Sequence, residues 1–253
     1  MRTLWLVAGL FLRVQLGRRR LLWLGALWLL PLAAALWWRF AEGGDAQRFL
    51  EHLTVAVLLQ FFSLGLSLYL GVSAVRDEIE DRTIVYLLVR PAPRWAVLGG
   101  KILAAALLAG IWLAVAAGLG HLAAWAGSDE GFSVFAFRLF RHMAVLAVAG
   151  LVYGGLFALI GVIFEKPFIP AVIFAMGWEA TVTNLPGALP KVTVMFYLKS
   201  LLGLQTQADG VLSVLLPPVG PASAAMALLV LGAAALAFYG AAFWLAGRRE
   251  WPL

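Results

Sequence analysis

VRDEIEDRTIVYLLVRPAPRWAVLGGK, residues 75–101, sets nine charged side chains between two long apolar runs. Arg76 and Glu80, and Glu78 and Arg82, stand four apart, the spacing at which opposite charges meet on one helix face. Ile79, Thr83, Tyr86 and Leu87 share the other face, so the spacing predicts an amphipathic helix lying on a membrane surface. Arg90-Pro91 stops it, because proline lacks an N–H and pushes the preceding residue towards an extended conformation. Arg94 and Lys101 bracket the return to apolar sequence. A bare connection between spans needs only a few residues, so a structured charged helix here presents a surface to a partner. The plainer alternative is a solvated hairpin whose basic residues only fix topology.

Outward from this stretch the chain is apolar. Of 253 residues 63% are hydrophobic and 13% charged, with a mean hydropathy of +0.94, which leaves too little polar surface to coat a soluble globule. The expected fold class is therefore all-α, a polytopic membrane protein in one domain, 1–253. The net charge of +6 then concerns membrane topology, not nucleic acid. With no cysteine there is no disulfide framework, no thiolate metal site and no thiol nucleophile.

A hydrocarbon core of about 30 Å takes about 20 apolar residues per helix. Six runs qualify: 21–38, 53–75, 102–126, 143–164, 167–184 and 221–247. The fifth is the weakest. It opens on Pro167 and Pro170 and carries Glu179 in its outer half, so a broken or re-entrant segment is its alternative. With six spans and both termini on one side, 13 of the 19 Lys and Arg share the side of residues 76–101 and 6 lie opposite. The excess of positive charge predicts that this side is cytoplasmic, in a multi-pass protein of the cytoplasmic (inner) membrane.

The segment before the first span, residues 1–20, lacks a small-residue cleavage site and reads as an interfacial helix. Trp5, Leu6, Leu10, Phe11 and Val14 would lie at the headgroup boundary while Arg13, Arg18, Arg19 and Arg20 meet lipid phosphates. Trp23, Trp28, Trp37, Trp38, Trp112, Trp125, Trp178 and Trp244 fall mostly near span ends, as an aromatic belt would place them. Gly and Ala crowd the third, fourth and sixth runs, where small residues let helix backbones approach closely.

Ionisable groups within the membrane are costly and so are functional suspects. Glu179, followed by Thr183 and Asn184, is the candidate for a substrate path; equally, its carboxylate could face outer water or pair with Lys191. His121, Gln60, Ser63 and Ser67 read as packing or hydrogen-bonding groups, and His52 and His142 have no metal-ligand spacing, so no metal and no cofactor is expected. Residues 185–220 are too long and too apolar for a simple loop. Lys191 and Lys199, eight apart, predict a short helix on the outer leaflet that gates or covers the bundle. Arg138 and Arg141 would grip outer headgroups. No His-Glu-x-x-His, paired intramembrane carboxylates or Ser with a plausibly spaced His is present, which argues against a membrane-embedded lipid or peptide enzyme and gives no catalytic residue. Gly99-Gly100-Lys101 lacks the glycine spacing of a phosphate loop, and Ile102 stands where Ser or Thr would hold magnesium.

The run Glu78-Ile79-Glu80-Asp81-Arg82-Thr83-Ile84, then Leu87-Leu88, Arg90-Pro91-Ala92-Pro93-Arg94 and Gly100-Lys101, resembles the signature of the ABC-2 type permeases, membrane subunits of ATP-binding-cassette exporters. Arg82 stands where many members have Gly, and Arg-Thr is similar to the branch containing the nitrous-oxide-reductase maturation permease. The resemblance implies six spans, an amphipathic N-terminal helix and a coupling helix between spans two and three that rests in a cleft of a separate cytoplasmic ATPase. By that carry-over Glu78, Glu80, Asp81, Arg82 and Thr83 contact the ATPase, and Arg90, Pro91 and Arg94 fix the elbow. ATP and Mg are then bound by the partner chain, and the permease works with a second copy or a related permease to export its substrate. A non-transporting anchor of a larger complex is the other class the residues allow.

Overall fold

The computed structural model describes residues 2–15, 17–41, 46–80, 94–126, 131–185, 187–204 and 220–248, and every regular element among them is helical. Five helices are long and apolar enough to cross a bilayer: Trp23–Phe40, Arg48–Arg76, Ala96–Trp125, Phe132–Ile163 and Ala224–Arg248. They are called here the first, second, third, fourth and last spans. The weakest of the six runs holds a shorter apolar helix, Phe168–Val182, in which the turn Phe168–Val172 passes into a π-helix, Ile173–Val182. At about 1.5 Å per residue it rises about 22 Å, less than the roughly 30 Å of a hydrocarbon core. The chain is a polytopic all-α membrane protein.

The third and fourth spans form an antiparallel hairpin at the centre. Of the fourth span 72% is buried, against 17% of the first and of the last. The reason lies in the small residues. A Cβ on Gly150 would sit 2.4 Å from Gly110 N, and one on Gly154 would sit 2.6 Å from Ala106 Cβ. Ala106 and Gly110 therefore mesh with Gly154 and Gly150, four residues apart on each helix, and the two backbones touch. Gly71 lets the second span cross the fourth closely as well, since a Cβ there would sit 3.0 Å from Ala158 N. Gly155 receives the ring of Tyr239 from the last span, whose hydroxyl donates to Leu151 O at 2.8 Å.

The first span is interrupted where Arg18–Leu27 gives way to Leu29–Ala41. Pro31 cannot donate to a carbonyl one turn back, and Trp28 N turns to Gly25 O at 3.1 Å. That frees Leu24 O, which accepts from Trp112 Nε1 at 2.9 Å, while Trp28 Nε1 donates to Trp112 O at 3.3 Å. A carbonyl without a partner inside a membrane is expensive, and an indole N–H needs an acceptor when buried, so each satisfies the other. Trp112 and Trp28 thus join the first span to the third and are not part of an aromatic belt; Trp23, Trp37 and Trp244 are exposed, as a belt requires.

The N-terminal helix, Arg2–Gln15, leaves Trp5, Leu6, Leu10 and Val14 exposed. Phe11, expected beside them, turns inward with Ala8, and Lys101 Nζ lies 6.0 Å above its ring. Arg13 is exposed and Arg18 opens the next helix; the side chains of Arg18, Arg19 and Arg20 lie outside the described residues. From Ala46 to Glu80 the helix of the second span is continuous, through a π-helical stretch at Leu53–Phe62. Residues 76–80, expected to begin a separate surface helix, prolong this span, and Arg76 is buried. Asp81, Arg82, Thr83, Arg90 and Pro91 lie outside the described residues, as do the side chains of Glu78, Glu80 and Arg94.

Candidate functional site

Two buried polar clusters lie between the spans. The first centres on Glu179, 1% exposed, on the π-helical half of Phe168–Val182. After Asn184 the chain turns back through a 3-10 helix, Leu189–Val192, and starts a connecting helix, Val194–Leu201. Thr193 caps that helix, its Oγ1 accepting from Phe196 N at 3.3 Å. The first two N–H groups, which no helical carbonyl can satisfy, donate to Glu179: Val194 N to Oε1 at 3.1 Å and Met195 N to Oε2 at 3.0 Å. Tyr153 of the fourth span donates its hydroxyl to Oε2 at 2.8 Å. A carboxylate at a helix N-terminus is favoured by the helix dipole, and three donors offset part of its desolvation.

The Glu179 carboxylate is turned inward and bound by Tyr153 and the connecting helix, and Lys191 is exposed. Thr183, one turn on from Glu179, sets its Oγ1 2.6 Å from Glu179 O and 3.0 Å from Thr193 Oγ1, which fastens the outgoing and returning strands of chain together. Asn184 accepts from Lys199 Nζ at 3.1 Å and donates to Ala180 O at 2.7 Å. Lys199, expected to share a surface with Lys191, is 7% exposed, because the helix begins only at Val194 and Lys191 lies before it. At the far end Ser200 Oγ accepts from Ala222 N at 3.1 Å, tying the connecting helix to the entrance of the last span. Glu179, Thr183 and Asn184 do fall in one region, as the sequence suggested; their partners Tyr153, Thr193 and Lys199 carried no local signal beyond being polar.

Residue spacing holds no sign of the second cluster. The register that seats Gly110 on Gly150 also brings His121 to His142, with Nε2 and Nδ1 2.7 Å apart. His121 Nδ1 faces Ala117 O at 2.8 Å and must donate to it. In a neutral ring Nε2 then accepts, so the hydrogen-bond pattern assigns the donated proton to His142 Nδ1, with Thr54 Oγ1 of the second span 3.0 Å away. Arg138, expected to hold outer headgroups, is 8% exposed and lies one turn before His142 on the same helix. Among the described residues no three His, Asp or Glu come together as a metal site would require. Replacing His142 with Ala leaves the buried His121 Nε2 without its donor. The expected cost is about 1–3 kcal/mol, read as a lower midpoint of chemical unfolding in detergent; an unaltered midpoint would show that the pair holds nothing together.

The histidine pair joins the second span to the central hairpin through Thr54, and the two π-helical stretches, Leu53–Phe62 and Ile173–Val182, approach each other through Gln60 Nε2 and Ala180 O, 3.5 Å apart. A family model described as ABC-2 family transporter protein matches residues 14–180, more than half of the chain. The chain belongs to the ABC-2 transporter family. It is a membrane permease subunit of an ABC transporter, a transport component of a multi-pass membrane protein class. The match is to the family and carries nothing for the nitrous-oxide-reductase maturation branch. No curated protein matches the chain. In this ABC-2 permease the matched region takes in Arg18, Arg19 and Arg20, the charged segment 76–101, the hairpin and Glu179; the connecting helix and the last span follow it.

Proposed function

We propose that the permease couples ATP hydrolysis by a separate cytoplasmic ATPase to the export of an amphipathic or lipid-linked substrate, with a second copy or a related permease completing the path. The single observation that carries this reading is the unbroken helix from Ala46 to Glu80. Its length, about 50 Å at 1.5 Å per residue, exceeds the roughly 30 Å core, so it extends into the acidic stretch as one rod. A push on Glu78 or Glu80 is delivered along that rod to Thr54 and Gln60, which touch His142 and Ala180. The ATPase, with its ATP and Mg, docks on residues 76–101, and Asp81, Arg82, Thr83, Arg90, Pro91 and Arg94 shape that surface. Complementary charge sets the register of such an interface. The distribution of Lys and Arg favours both termini and this segment on the cytoplasmic side of the inner membrane.

Glu179, Thr183 and Asn184 border the substrate path as an outer gate. With both carboxylate oxygens engaged, Glu179 acts by holding the connecting helix, and release of that helix opens the path. The test is co-purification of the permease with its ATP-binding-cassette ATPase, followed by hydrolysis assays in nanodiscs. Replacing Glu78 and Glu80 together with Ala is expected to abolish most permease-dependent change in hydrolysis, several-fold or more, with insertion intact. Unchanged hydrolysis would favour a docking anchor that does not transport.

A further inference from the structure

Along one side the second span carries two cavities that adjoin at Tyr69, which lines both. The one nearer residue 76 has a volume of about 410 Å³ and takes in Ser73, Arg76, Glu165 and Lys166, with Val72 and Ile169 as apolar wall. Its neighbour, about 370 Å³, is mainly apolar, lined by Trp23, Leu27, Phe61 and Gly65 among others, with Gln15 as its polar side chain. Each volume falls in the range of about 300–1,000 Å³ typical of small-ligand sites. The trough from Arg76 to Phe61 covers fifteen residues of helix, about 22 Å. That is the depth of one leaflet, half of the roughly 40–45 Å bilayer with headgroups. Polarity follows the same gradient, with two cations and one carboxylate at the membrane-surface end and hydrocarbon and aromatic groups below.

We infer that this trough is a binding site for one phosphate-bearing anionic lipid of the inner leaflet, its phosphate between Arg76 and Lys166 and an acyl chain laid past Tyr69 towards Phe61. The lipid source is favoured over free phosphate because the apolar cavity continues the charged one and would stand unused by a soluble anion. Arg76 is 6% exposed, so its guanidinium is held in place and not free to follow the bulk solvent. The inference rests on the cytoplasmic placement of residue 76 proposed above, but not on transport.

The full-length permease, purified in detergent, is titrated with phosphatidylglycerol and with phosphatidylcholine of the same acyl chains, and bound lipid is counted by native mass spectrometry. Phosphatidylglycerol is expected to be retained about fivefold more tightly, the effect of one basic side chain near a membrane surface, and Lys166→Gln to remove that preference. Lys166 is exposed, so this variant leaves the fold alone. A Cβ at Gly65 meets nothing within 4 Å, so Gly65→Leu adds bulk to the apolar part from an unobstructed Cβ and should weaken both lipids. Equal retention of the two lipids, or insensitivity to both variants, overturns the site. So does displacement of the lipid by millimolar inorganic phosphate, which would assign the cations to a soluble anion. A dimer weakened by Gly65→Leu while lipid binding is unaltered would assign the trough to a second copy. Any of these results with ATPase coupling intact sinks this inference alone.

Discussion

Gly150→Ala is expected to destabilise the permease by at least about 3 kcal/mol, at or beyond the upper end of ordinary overpacking costs. The added methyl would lie 2.4 Å from Gly110 N and 2.5 Å from Gly110 Cα. These are backbone atoms of a buried helix, so no side chain can swing away, and the third and fourth spans must separate. Separation also removes the His121–His142 contact, because both depend on one register. Gly240→Ala is the control: it makes the same chemical change on the last span where nothing lies within 4 Å. Unfolding of each variant in detergent, followed by circular dichroism against denaturant, measures the difference. Equal midpoints for the two variants would mean that the hairpin is not packed backbone against backbone.

Glu179→Ala should release the connecting helix. The substitution leaves Tyr153 Oη and the N–H groups of Val194 and Met195 without their acceptor in a buried site. Hydrogen bonds to a charged group contribute about 1.5–3 kcal/mol each, and an orphaned buried donor costs about 1–3 kcal/mol, so a loss of several kcal/mol at this junction is expected. Tyr153→Phe removes one of the three bonds and should give a smaller effect in the same direction. The chain has no cysteine, so Ser200→Cys supplies a single reporter on the connecting helix at a position that is 6% exposed. A membrane-impermeant maleimide should label it slowly in the parent and at least tenfold faster with Glu179→Ala. Equal labelling would remove the gate reading, since the helix would then be held by other contacts. If transport is also lost, the junction is the element that must open and close during the cycle; if transport is retained with faster labelling, the closed state is dispensable.

The Glu179 junction and the histidine pair show the same division between what is local and what is not. Glu179 stands out in one dimension because an acid in an apolar run is anomalous wherever it sits. The function of its carboxylate depends on Val194 and Met195, fifteen and sixteen residues later, and on a tyrosine in another span. A free helix N-terminus has no side-chain signature of its own, so nothing in the residues announced that Glu179 would cap it. Phe11, Trp28 and Trp112 are misplaced by sequence reasoning for a related cause. In a membrane protein an aromatic side chain is equally at home facing lipid or protein, and hydrophobicity cannot tell the two apart. Arg138 and Lys199 were misplaced because helix ends, not spacing alone, decide which face a charged residue takes.

By itself the sequence determined the environment, the helical class, the positions of the long spans and the weak one, and the family, because each follows from quantities summed over a window or from one contiguous motif. Backbone groups in lipid must be satisfied within the segment, so an apolar run of sufficient length can only be a helix. Only the tertiary structure decided which faces of those helices meet. That choice rests on where glycines allow backbones within contact of one another, as at Gly110 and Gly150. It then brings together groups far apart in the chain, Tyr153 with Glu179 and His121 with His142, whose attraction is short-ranged and leaves no periodic trace.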